Sequence, residues 1–112
     1  MNPTFTSQPG GDIRGYVKYI TDLTKLYLKE QKYGGGEYDI LNVKLDIFYN
    51  YCKKLRIPEY EKPNVFIAML KDKAFEFYYD KIVGREYNFP TIVRMLRDQF
   101  ETEERAQKYL TE

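Results

Sequence analysis

Three sets of residues in this sequence could carry chemistry. Gly34-Gly35-Gly36 is the first, because successive glycine amides can cradle a phosphate. Such a cradle is normally followed by Lys and then Ser or Thr, whereas Glu37, which repels an anion, follows here. The run therefore reads as a linker. Cys52 is the second, a candidate nucleophile. Its spacing places it in the apolar row of a helix with no basic neighbour on that face, where a thiol is inert. The third set is carboxylates, Asp39 with Asp46 and Glu103 with Glu104, which could divide general acid and base roles if they shared a pocket. Nothing in their spacing brings two of them together, so they read as solvated helix faces and caps.

Basic and aromatic residues offer binding rather than catalysis. Lys53, Lys54 and Arg56 sit beside Tyr49 and Tyr51, a combination that supplies phosphate contacts and base stacking. The cluster is short and Glu59 and Glu61 follow at once. It reads as a solvated face or as a partner for a helix C-terminal dipole. Tyrosine is used 12 times, too often for one small core in which each hydroxyl needs a partner or water. Some must reach the surface, where Tyr anchors protein contacts. The candidate protein or peptide interface is Tyr33, Tyr38, Tyr49, Tyr79 and Tyr87.

Composition narrows the classes further. The 112 residues contain no His, which excludes a Ser-His-Asp triad, imidazole-bound zinc and an imidazole pH switch. The single Cys excludes an intramolecular disulfide. A formal net charge of +1 gives no field to gather nucleic acid or an anionic membrane. No run approaches the length of a membrane span, and residues 1–12 lack the charged start and apolar run of a secretory signal. The expectation is an intracellular, cytoplasmic, non-catalytic protein with no cofactor and no metal. A hydrophobic fraction of 43% is too high for a disordered tail.

The elements that would position these residues are helices. Residues 1–11 read as a flexible arm. Asp12 predicts an N-cap for a helix running to about Lys32, with Ile13, Tyr16, Val17, Ile20, Leu23 and Tyr27 on one face. The three glycines stop it. Asp39 is the expected cap of the next helix, whose row Leu41, Leu45, Phe48, Cys52 and Leu55 is the strongest periodic signal in the chain. Pro58 and Pro63 bracket a connection, Pro63 suiting a first helical turn. Val65–Ile82 reads as one central helix, apolar on every side through Leu70, although VFIAML also admits a strand. Gly84 ends it, and Asn88 with Pro90 opens another helix with the row Phe89, Val93, Leu96 and Phe100. Thr102 predicts a last cap, followed by Ala106, Tyr109 and Leu110. The expected fold is all-α, a bundle of four to five helices over 12–112. Because the chain stops inside an apolar pattern, it reads as a piece of something longer.

Three segments carry a family likeness. Lys32–Glu59 (KYGGGEYDILNVKLDIFYNYCKKLRIPE) joins a glycine turn to an amphipathic helix ending in Cys. Phe66–Ile82 (FIAMLKDKAFEFYYDKI) and Phe89–Leu110 (FPTIVRMLRDQFETEERAQKYL) follow in order. From Tyr33 onward the sequence resembles Gag proteins of fungal Gypsy-type retrotransposons bearing long terminal repeats. The resemblance implies the N-terminal lobe of a retroviral-type capsid protein, a helical module that associates with itself or with other Gag chains. The Trp-bearing segment, C-terminal lobe and CCHC zinc knuckle usual in that family have no counterpart here, so direct RNA binding is not expected. Two alternatives follow from the same likeness: a lobe that binds short hydrophobic peptides in a groove, or a truncated Gag that interferes with capsid assembly.

Overall fold

The computed structural model describes residues 13–101. The predicted arm, the Asp12 cap and the helix from Thr102 lie outside the described residues. Within them the chain forms five α-helices and no extended strand: α1 Ile13–Leu26, α2 Leu41–Lys54, α3 Lys62–Val65, α4 Asp72–Lys81 and α5 Phe89–Phe100. The all-α expectation holds for these residues.

Two helix boundaries differ from expectation for a common reason. Helix α1 stops at Leu26, six residues short of Lys32, and Leu28 is extended. The long helix expected over Val65–Ile82 is broken into α3, a 3-10 turn at Phe66–Met69 and α4, with Leu70 extended between them. The two breaks meet. Tyr33 N–H donates to Met69 O at 2.7 Å, Lys71 N–H donates to Tyr33 O at 2.9 Å, and Ala74 N–H donates to Gly34 O at 3.2 Å. Tyr33 and Gly34, in the segment that follows the first break, and the residues around the second thus satisfy one another's backbone groups, as buried amides require. The exchange also places Tyr33 and Leu70 in the core. Asp72 turns the chain back into helix through a left-handed conformation, φ 51°, which Asp tolerates better than most residues.

Helix α2 follows its sequence pattern. Leu41, Leu45, Phe48 and Cys52 are buried along one row. It ends in a Schellman motif: Arg56 N–H bonds to Lys53 O, and Ile57 N–H bonds to Cys52 O at 2.9 Å. Arg56 occupies the left-handed position usually held by Gly. Helix α4 buries Ala74 and Tyr78, and Gly84 at φ 76° turns the chain out of it. Asn88 Oδ1 accepts from Thr91 N–H at 2.9 Å and caps α5, as expected. Ile92 rather than Val93 is the buried member of the α5 row, together with Phe89, Leu96 and Phe100. Val17 of α1 is exposed, not interior.

A cluster of rings joins the elements. Phe66 lies edge-on to Phe48 of α2 at 5.5 Å and to Phe89 of α5 at 5.2 Å, and 6.3 Å from Tyr78 of α4. Phe48 and Phe89 stack at 5.8 Å. Aromatic pairs at such distances add to the burial of their area.

Candidate functional site

The five tyrosines singled out by sequence do not form one patch. Tyr33 is corrected outright as a surface anchor: it is 0% exposed. The extended segment that pairs with Leu70 carries its ring against Phe100, 6.2 Å away, and its hydroxyl donates to Glu101 Oε2 at 3.4 Å. Tyr38 is exposed in the turn after the glycines. Tyr49 is exposed on the flank of α2, its ring edge-on to Phe89 at 6.1 Å, with Lys62 Nζ 5.6 Å from its centroid. Partial burial raises its hydroxyl above the usual tyrosine range. Tyr79 is 56% exposed on α4, its ring 5.1 Å from that of Phe75. Tyr87 is half-buried and lines an opening of about 140 Å³ with Pro63, Asn64, Tyr78 and Ile82.

The candidate chemical residues are likewise separated. Cys52 is buried, and desolvation pushes its thiol up to about 11, so little thiolate exists at neutral pH. Asp39 does not cap α2. It accepts from Gly34 N–H at 2.5 Å and lies 3.6 Å from Lys44 Nζ, while Asp46 is exposed. The glycine loop borders a second opening of about 340 Å³, lined by Gly34, Gly36, Asp39, Lys71, Asp72 and Lys73, with no apolar side chain. Among the described residues no three of Cys, Asp and Glu are placed to hold a metal ion. No described helix is long and apolar enough to cross a membrane.

Glu101 performs the role expected of Asp39. Its Oε2 accepts from Leu41 N–H, the first amide of α2, and its Oε1 lies 3.8 Å from Arg97 Nη1. Arg97 in turn donates to Asn42 Oδ1 at 2.8 Å. A carboxylate from the end of α5 thus caps a helix 60 positions earlier, where the dipole favours negative charge. Sequence reading misses it because caps are sought next to the helix they serve. Removing the cap in Glu101→Ala is expected to cost about 1–2 kcal/mol. Glu101→Gln, which keeps an acceptor, should cost less, and urea denaturation of both variants checks the order.

The surface instead offers apolar side chains on several separate faces. Tyr60 is 69% exposed, Leu28 57% and Val43 52%, and Phe75 and Tyr79 on α4 are exposed together with Val83 in the turn just after it. Beside that ridge runs an acidic row, Asp72, Glu76 and Asp80, all exposed. Sequence reading missed Phe75 and Val83. The signal is there once Ala74, Tyr78 and Ile82 are taken to set the inward phase, but a helix read as apolar all round has no outward face.

These features define an all-α domain with several exposed apolar faces. No family model, curated protein or solved structure gives a significant match to the chain.

Proposed function

We propose that the chain is a non-catalytic self-association module, a Gag-like capsid N-terminal lobe that contacts copies of itself or other Gag chains. The likeness of Lys32–Glu59, Phe66–Ile82 and Phe89–Leu110 to fungal Gypsy-type Gag supports the family, and the helical architecture is compatible with it. One observation carries the reading: large apolar side chains remain exposed on separate elements, Tyr60 after α2, Leu28 after α1 and Tyr79 on α4. A subunit of a shell must meet more than one neighbour, and dispersed apolar surface serves that need better than a single patch. Weak contacts suffice, because many identical interfaces act together. The near-zero net charge adds no repulsion between copies.

Sedimentation equilibrium from micromolar to millimolar concentration tests the proposal. The expected result is a monomer when dilute and a rising weight-average mass when concentrated. Strictly monomeric behaviour across the range overturns it.

A further inference from the structure

We infer that the acidic ridge of α4 docks onto the basic, tyrosine-bearing end of α2 in a second copy of the chain. The inference rests on the self-association reading and names its two faces. The first face is formed by Phe75 and Tyr79 of α4, with Val83 exposed in the turn that follows the helix. Its two rings already touch, so little side-chain freedom remains to be lost on docking. Along its flank lie Asp72, Glu76 and Asp80. Among the described residues the row's ion pair is that of Asp80 with exposed Lys81 at 3.6 Å, and an exposed pair of that kind holds its charge loosely.

The second face is the last turn of α2 and the connection after it. Lys53, Lys54 and Arg56 are all exposed there, and none has an acidic partner among the described residues. Glu59, the first acid to follow, is taken by Lys62 at 2.5 Å. That same lysine lies 5.6 Å from the centre of the Tyr49 ring, which brings Glu59 toward Tyr49. Tyr49 and Lys53 share one side of α2 at helical spacing. The face therefore combines the exposed ring of Tyr49 with three cations that have no acidic partner among the described residues, the complement of an apolar ridge with a carboxylate flank.

The two faces belong to different parts of one molecule. Phe66 stands between Phe48 of α2 and Tyr78 of α4, and the exposed rows of these helices lie opposite their buried ones. Antiparallel like-with-like pairing of α4 is disfavoured by charge. A two-fold axis across two antiparallel α4 helices sets each acidic row against its own copy, and like charges so placed repel. Ridge against basic end is a heterologous contact, which repeats from copy to copy into rings or open arrays.

Charge reversal on the full chain tests the inference, with each fold checked by circular dichroism. Glu76→Lys/Asp80→Lys and Lys53→Glu/Lys54→Glu alter only exposed side chains. Each alone is expected to weaken self-association by at least about tenfold. An equal mixture should regain it, because every copy then finds one native and one doubly reversed partner face. Raised salt should weaken the wild-type contact. Wild-type association that the two variants share unchanged overturns the inference and leaves the self-association reading standing. A mixture that stays monomeric also overturns it, as does a Lys53/Lys54 variant that associates normally while losing affinity for a polyuridine oligomer. A wild-type chain that never associates overturns both readings.

Discussion

Phe66→Ala is expected to cost about 3–5 kcal/mol, a large part of the roughly 5–15 kcal/mol by which a domain of this size is stable. Phe66 is fully buried, and its ring lies against α2, α4 and α5 at once, through Phe48, Tyr78 and Phe89. Truncation removes the transfer free energy of the ring and leaves a cavity bounded by other rings. Phe48 and Phe89 already stack on each other and cannot both move into the space. Phe75→Ala is the contrasting variant. It removes the same group from a position that is 37% exposed, and should cost about 1 kcal/mol or less. Urea denaturation of the two variants gives the comparison. Equal losses would mean that Phe66 is not the centre of the core.

How much of this was legible in the sequence depended on whether the information was local. The α2 row was legible because four inward residues at steps of four, three and four leave little choice of phase. Asn88 and Gly84 were legible for the same reason, since a cap and a helix stop act within one turn of themselves. The breaks at Leu28 and Leu70 were not. The break at Leu28 is held by Gln31, and the extended residues that follow it, Tyr33 and Gly34, exchange hydrogen bonds with the break at Leu70, more than 30 residues away. Tyr33 was misplaced for that reason: next to three glycines it looked like loop, while its partner Leu70 looked like helix. Among the candidate interface tyrosines, Tyr38, Tyr49 and Tyr79 are exposed, but their companions on the surface were hidden. Phe75 and Val83 become visible only after the break at Leu70 resets the phase of α4.

Scanning the three glycines with alanine is expected to separate them sharply, with Gly35→Ala the damaging change at about 2–4 kcal/mol. Two costs combine there. Gly35 has φ 78°, a left-handed conformation that costs an L-residue about 1–2 kcal/mol. A Cβ at that position would also stand 2.7 Å from Phe100 Cδ1 and 2.8 Å from Cε1. The Phe100 ring cannot swing aside, because Tyr33 lies edge-on to it at 6.2 Å and Phe77 at 5.7 Å. Overpacking of this kind adds about 1–3 kcal/mol. Gly36→Ala meets only Asp39 Cβ at 4.0 Å, at an exposed position, and should be neutral or slightly stabilising through the unfolded chain. Gly34→Ala falls between them, since its contacts at 3.3 Å are with the Lys71 and Asp72 side chains, which can shift. The run is therefore a linker at Gly36 and a packing surface at Gly35. Thermal melts of the three variants would show this as one large drop beside two small changes, whereas three equal drops would mean that chain flexibility alone sets the requirement for glycine.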